Sequence, residues 1–188
     1  MVIVKTVRSD AARSRERILQ VACTHDRRDL RLNEIAREAG VGVGTVYRHF
    51  PTVHALVEAL SQTTIERLLA MSRQALAEPE ADRAFSTYLH SALALQLEDG
   101  GLQSVLLSPA DESDDVRAAK AEILHSVAVL LDGAKDAGSV RPDLTVERLA
   151  HLVCGIEHAV RLGDPADREP LLDILLAGIR PPAAHRPT

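Results

Sequence analysis

Hydrogen-bonding side chains crowd one short run of this chain: Thr45, Tyr47, Arg48 and His49, with Val43 and Gly44 before them and Thr52 after. No catalytic constellation appears among them. A hydroxyl, a phenol, a guanidinium and an imidazole are instead suited to phosphate oxygens and base edges. Thr45 fits a base edge or a phosphate, Arg48 a guanine or a phosphate, and Val43 a thymine methyl. Gly44 lets backbone come close, and Asn33 fits an adenine edge. The chemistry implied is reversible recognition of duplex DNA.

His151, Cys154 and His158 form a second candidate group. They recur at three and four residues, so one helical face presents two imidazoles and a thiol, ligands suited to zinc or copper. The competing reading is a row of small or amphipathic side chains at a seam between two copies. No fourth ligand is evident unless a second copy supplies it, so no metal and no other cofactor is expected. Catalytic constellations are also missing from the sequence. The serines lack a histidine and acid context, no glycine loop is built to cradle phosphate, and the paired Asp114 and Asp115 fall in an acidic loop expected over Ser108 to Asp115.

Two short helices must position the recognition residues. Leu32, Ile35, Ala36 and Ala39 recur at three and four, which buries one face and leaves Asn33, Glu34, Arg37 and Glu38 in water. Gly40 stands where the chain leaves that helix, a place that favours positive φ. Val41, Val46 and Phe50 continue the apolar stripe, so Val43, Gly44, Thr45, Tyr47, Arg48 and His49 are left to the opposite side. Before this pair, residues 1–8 read as a flexible arm. Ser9 and Asp10 then signal the start of a helix to about Thr24, with Ile18, Leu19 and Ala22 inward and Arg13, Arg15 and Arg17 outward.

Ile35-Ala36, Ala39-Gly40-Val41 and the run from Gly44 through Thr45-Val46-Tyr47-Arg48-His49-Phe50 to Pro51 resemble the DNA-binding signature of the TetR family of bacterial transcriptional repressors. The resemblance covers about fifty N-terminal residues, and its ending is more restrictive than a bare helix-turn-helix outline. It implies an all-α homodimer with an N-terminal three-helix DNA-binding domain and a larger helical domain for ligand binding and dimerisation. It also implies that Tyr47 and His49 bind backbone phosphate. Three positions depart from the family pattern. Arg31 and Leu32 stand where hydroxyl residues usually cap the second helix, which leaves Asp29 as the expected cap. Val53 replaces a lysine that usually binds phosphate.

The charge distribution agrees with this division. Residues 1–50 hold ten Lys/Arg against six Asp/Glu, a net +4, within a chain whose net charge is -5; the rest therefore carries -9. A basic head attracts phosphates, and an acidic body discourages nonspecific wrapping. Cys23 and Cys154 make neither a metal hairpin nor a disulfide framework, and no apolar run suggests a membrane span, so a cytoplasmic protein is expected.

The expected organisation is a DNA-binding head over 1–51, a helical body over 52–180 and a disordered tail over 181–188. Long helices are expected over 52–77, 81–97 and 116–137, a short one over 102–107, and two more from Thr145 and Asp167. Phe85, Tyr88, Leu89, Leu93, Leu106, Ile123, Leu124 and Val127 are the candidate lining of an aliphatic ligand pocket, with His90, His125, Gln96 and Gln103 as polar handles. Leu152, Ile156, Leu172, Leu175 and Leu176 are the candidate dimer seam, because the last two helices are apolar over more than one stripe. The partners expected are double-stranded operator DNA, a small-molecule effector and a second copy of the chain. The function expected is that of a ligand-relieved repressor on a palindromic operator. An activator, a ligand-independent regulator, or a helical enzyme or binding protein without DNA affinity are the alternatives.

Overall fold

The apolar stripes become helices, and no strand occurs among the described residues. The computed structural model describes residues 3–181, with side chains described from Asp10 onward. The helices are α1 (Ile3–Ala22), α2 (Leu32–Glu38), α3 (Val43–His49), α4 (Val53–Leu76), α5 (Ala81–Glu98), α6 (Leu102–Leu107), α7 (Asp114–Asp136), α8 (Val146–Leu162) and α9 (Arg168–Gly178). A 3-10 turn over Pro165–Asp167 precedes α9. The chain divides into two compact units, Met1–Ile65 with Asp99–Arg117, and Glu66–Glu98 with Ala118–Thr188.

In the first unit α1, α2 and α3 pack on one another. Ile18 and Ala22 from α1, Leu32, Ile35 and Ala36 from α2, and Val46 with Phe50 from α3 and its end are all buried. Gly40 has φ +63°, and the α2 end is closed by the N–H of Val41 donating to Ala36 O at 3.0 Å and that of Gly40 donating to Arg37 O. This pattern needs a left-handed residue at Gly40, which an L side chain adopts only at a cost.

A charged network ties three segments of this unit together. Arg27, in the connection after α1, donates to Ser61 Oγ of α4 at 3.1 Å and to the Asp99 carboxylate after α5. Ser61 Oγ and the N–H of Gly101 both donate to Asp99 Oδ1. Asp99 is buried, so its charge is tolerable only with these partners. Gly101 fills the remaining space: a Cβ there would lie 2.7 Å from Val57 Cγ1 and 2.9 Å from Arg27 Cδ.

In the second unit Phe85, Leu89 and Leu93 of α5 are buried, as are Ile123, Leu130 and Leu131 of α7, Leu149, Val153 and Val160 of α8, and Leu172, Leu175 and Ile179 at α9. Gly138, with φ +71°, closes α7 as Gly40 closes α2, and the Ser139 N–H reaches back to Ala134 O. Arg161 of α8 pairs with the buried Glu157 and donates to Gln96 O of α5.

Several expectations are corrected. Helix α1 starts at Ile3, so the segment read as an arm continues the helix; nothing between Ile3 and Asp10 breaks one, since Pro and Gly are both absent there. Helix α2 takes Arg31 as its N-cap with no side-chain cap bond, so Asp29 does not serve. Helix α7 begins at Asp114, two residues before the first apolar residue, because Asp114 and Asp115 suit the positive end of a helix. Leu172 and Leu175, expected at the seam, are buried within their own chain. Leu124 and His125 are exposed rather than inward. The tail from residue 182 lies outside the described residues.

Gly101→Ala is expected to destabilise the protein by about 1–3 kcal/mol through overpacking. Denaturant unfolding of the full chain measures it, and an unchanged midpoint would show that Val57 and Arg27 yield freely.

Candidate nucleic-acid interface

Helix α3 has seven residues, and one turn of it is tied down. Val46 is fully buried and Phe50, directly after the helix, is 2% exposed. With 3.6 residues per turn, burying these two sends Val43, Gly44, Tyr47 and Arg48 outward. Val43 and Tyr47 are each 47% exposed, large values for an apolar and an aromatic side chain. Gly44 and Arg48 are exposed, and Thr45 and His49 are half-buried at the edges of this face. Asn33 is exposed in the first turn of α2. A Cβ placed on Gly44 meets nothing within 4 Å, so no intramolecular crowding demands glycine there.

The electrostatics single out fewer cations than the basic count suggests. Arg13 pairs with Asp10, Arg28 with Asp26, Arg31 with Glu34 and Arg37 with Glu38. Arg48 has no such pair among the described residues. Arg15 lies over the Phe50 ring, its guanidinium carbon 5.4 Å from the centroid, so the α1 arginine holds the base of α3 as well as facing out. Burial, followed by the charges of Arg15 and Arg48, pushes the His49 imidazole below its ordinary value. The neutral ring keeps one N–H donor, which suits a phosphate oxygen.

Thr52 is engaged already. Its hydroxyl oxygen accepts from the N–H of Ala55 at 3.0 Å, capping α4, and its proton goes to Glu112 at 3.1 Å. A phosphate at Thr52 has to compete with that carboxylate. Neither this bond nor the Arg15–Phe50 stack carries a sequence signal, because their partners are separated by long stretches of chain.

The other candidates fare differently. Phe85, Tyr88, Leu89 and Leu93 share the buried face of α5, with Ile123 buried and Val127 half-buried on α7, while Leu106 belongs to the first unit. Tyr88 borders a cavity of about 320 Å³ that is walled by Met71, Gln74 and Ala75 of α4, by Glu78 after it, and by Arg83, Ala84, Thr87 and Ser91 of α5. Burial raises the Tyr88 phenol above its usual range, so it stays protonated. His90 lies 3.5 Å from Glu169, Gln96 is buried, and Gln103 has a buried side-chain nitrogen without a partner. His151, Cys154 and His158 do not converge on one point; among the described residues the only such group lies elsewhere. On the seam side, Leu152 is exposed, and Ile156 and Leu176 are half-buried.

A family model described as bacterial regulatory proteins, tetR family, matches residues 25–60. A second, described as transcriptional regulator SbtR-like, C-terminal domain, matches residues 78–181. Among solved structures, the TetR transcriptional regulator SCO0520 from Streptomyces coelicolor is 33% identical, over 90% of this chain and 99% of that one, with a TM-score of 0.51. A TetR transcription regulatory protein from Mycobacterium vanbaalenii is 32% identical over 93% of this chain and 99% of that one, with a TM-score of 0.48. The transcriptional regulator FadR from Bacillus subtilis, solved in complex with stearoyl-CoA, shares the fold at 19% identity, a TM-score of 0.52, and 90% and 99% coverage. No curated protein matches the sequence.

A depressed His49 has a definite consequence for acid stability. The unfolded chain takes up its proton near the ordinary 6.5, the folded chain only at lower pH. The stability this residue contributes is therefore complete above 6.5 and lost as pH falls through the folded value. Denaturant midpoints measured from pH about 7 to about 5 are expected to fall more steeply in the wild type than in His49→Gln; parallel profiles would contradict the shift.

Proposed function

Because this chain belongs to the TetR family of bacterial regulatory proteins, and is thus a transcriptional regulator rather than a member of an enzyme family, we propose that it is a ligand-relieved repressor that binds a palindromic operator as a homodimer. The observation that carries the reading is the outward face of α3. Val43 and Tyr47 are half-exposed there while Val46 and Phe50 are buried, and nothing in the chain's own fold explains apolar groups left in water at that place.

On this reading Tyr47 and the neutral His49 hold phosphates and fix the register of α3 in the major groove. Thr45, Arg48 and Val43 meet base edges, and Asn33 approaches from the start of α2. Two copies place two such helices about 34–36 Å apart, one turn of duplex, which is why the operator should be an inverted repeat. The seam between copies is assigned to the solvent side of α8 and α9, where Leu152, Leu162 and Ile174 are 44%, 77% and 67% exposed. The effector is assigned to the second unit, where the cavity beside Tyr88 sets Met71, Ala75 and Ala84 among the polar side chains Gln74, Glu78, Arg83, Thr87 and Ser91. With two Phe, two Tyr and no Trp in the chain, an aromatic cage for a flat cation is not part of this assignment. A difference of about 1–3 kcal/mol in effector affinity between two head spacings is enough to change operator occupancy.

Selection of genomic fragments followed by footprinting is expected to recover a short inverted repeat, with affinity falling steeply as salt rises. Thr45→Ala and Tyr47→Ala are each expected to lose about ten- to hundred-fold in operator affinity while remaining folded dimers. Full affinity in both would remove the assigned face. For the seam, Ile174→Glu is expected to yield folded monomers by sedimentation, whereas Leu172→Ala, at a buried position, should cost about 2–5 kcal/mol in unfolding free energy. A dimer indifferent to Ile174→Glu would place the seam elsewhere.

A further inference from the structure

We propose that His54, Glu58 and Asp111 form a binding site for a divalent first-row transition metal ion of the zinc class, in the first unit beside the start of α4. One ligand atom from each of the three lies within 4.8 Å of the others. His54 and Glu58 are four residues apart on α4 and so share a face. His54 Nε2 is 3.0 Å from Glu58 Oε1, and this nitrogen is buried with no hydrogen-bond partner. A buried imidazole nitrogen turned toward a carboxylate calls for something positive between them, a proton or a metal ion. Metal–ligand bonds of about 2.1 Å in tetrahedral array separate neighbouring donor atoms by about 3.4 Å, a spacing the His54–Glu58 pair at 3.0 Å approaches.

The carboxylate is oriented as a metal ligand requires. Glu58 is 2% exposed, and its two oxygens accept the N–H groups of Glu112 at 2.8 Å and Ser113 at 3.0 Å. Each oxygen retains a second lone pair, and outer-shell bonds of this kind fix a ligand in place. One imidazole with two carboxylates is a mixed nitrogen and oxygen set. It favours zinc-like ions over calcium or magnesium, which prefer all-oxygen sites, and over copper(I), which prefers sulfur. Three protein ligands leave the remaining positions to water. A bound ion fastens the first turns of α4 to the 111–113 segment, beside the Thr52–Glu112 bond, and owes nothing to the DNA-reading assignment.

The test uses untagged full-length protein, stripped with chelator and titrated calorimetrically with Zn²⁺, with Ca²⁺ in parallel. The expected result is one Zn²⁺ per chain with a rise in melting temperature, and no comparable effect of Ca²⁺. His54→Ala and Asp111→Asn should each weaken Zn²⁺ binding about 100-fold, at least the loss typical of an outer-shell partner. The triple variant His151→Ala, Cys154→Ala, His158→Ala should bind as the wild type does, and circular dichroism checks that all variants fold. Absence of saturable Zn²⁺ binding overturns the proposal, as does undiminished binding in both His54→Ala and Asp111→Asn, or loss confined to the triple variant. A melting temperature that depends on pH through His54, in a protein without Zn²⁺ affinity, assigns the position to a proton and equally overturns it.

Discussion

A seven-residue helix in water is far below the length at which a helix holds itself together, so α3 exists because Val46 and Phe50 are buried against α1 and α2. Everything attributed to its outer face depends on that burial. The same two contacts set the rotation of the helix about its axis, and rotation decides which side chains face outward. Gly40 supplies the other constraint: its positive φ turns the chain sharply enough for α3 to begin three residues later. Arg15 over the Phe50 ring adds a third tie from α1. The exposed face of α3 is thus held by its back.

Helix α4 carries the polar side of the same economy. Its first half contributes the buried Glu58 and Ser61, and each receives partners from chain that lies far along the sequence. Such groups are costly to bury alone and stabilising only when every partner is present. Consequently the Asp99–Gly101 turn and the 111–113 segment are fastened to the N-terminal unit rather than left as loops of a separate body.

Charge in the head is selectively neutralised. Several head arginines are matched by nearby acids at exposed positions, pairs that contribute little to stability but leave Arg48 as a cation on the exposed face of α3. The fall in the His49 pKa follows first from burial and then from the charges of Arg15 and Arg48. An acidic chain of net charge -5 can thereby hold a surface suited to phosphates.

The helices, and which side of α3 is exposed, are largely legible from residue order. Period-3.6 apolar spacing, a glycine at each sharp helix end and the Thr45–Pro51 run are local signals, and local backbone physics makes them reliable. Short-range information also explains the errors. Ser9 and Asp10 look like a helix start although helix-compatible residues precede them, and Asp29 looks like a cap although the helix takes Arg31. What no local pattern contains is partnership across distance. Arg27 meets Asp99, Thr52 meets Glu112, and His54 and Glu58 meet Asp111 only once the chain has folded. An apolar stripe likewise says that a residue will be buried without saying by what. For that reason Leu172 and Leu175, equally fit for a seam or a core, are placed in the core by tertiary packing, and Ile174 between them is left in water.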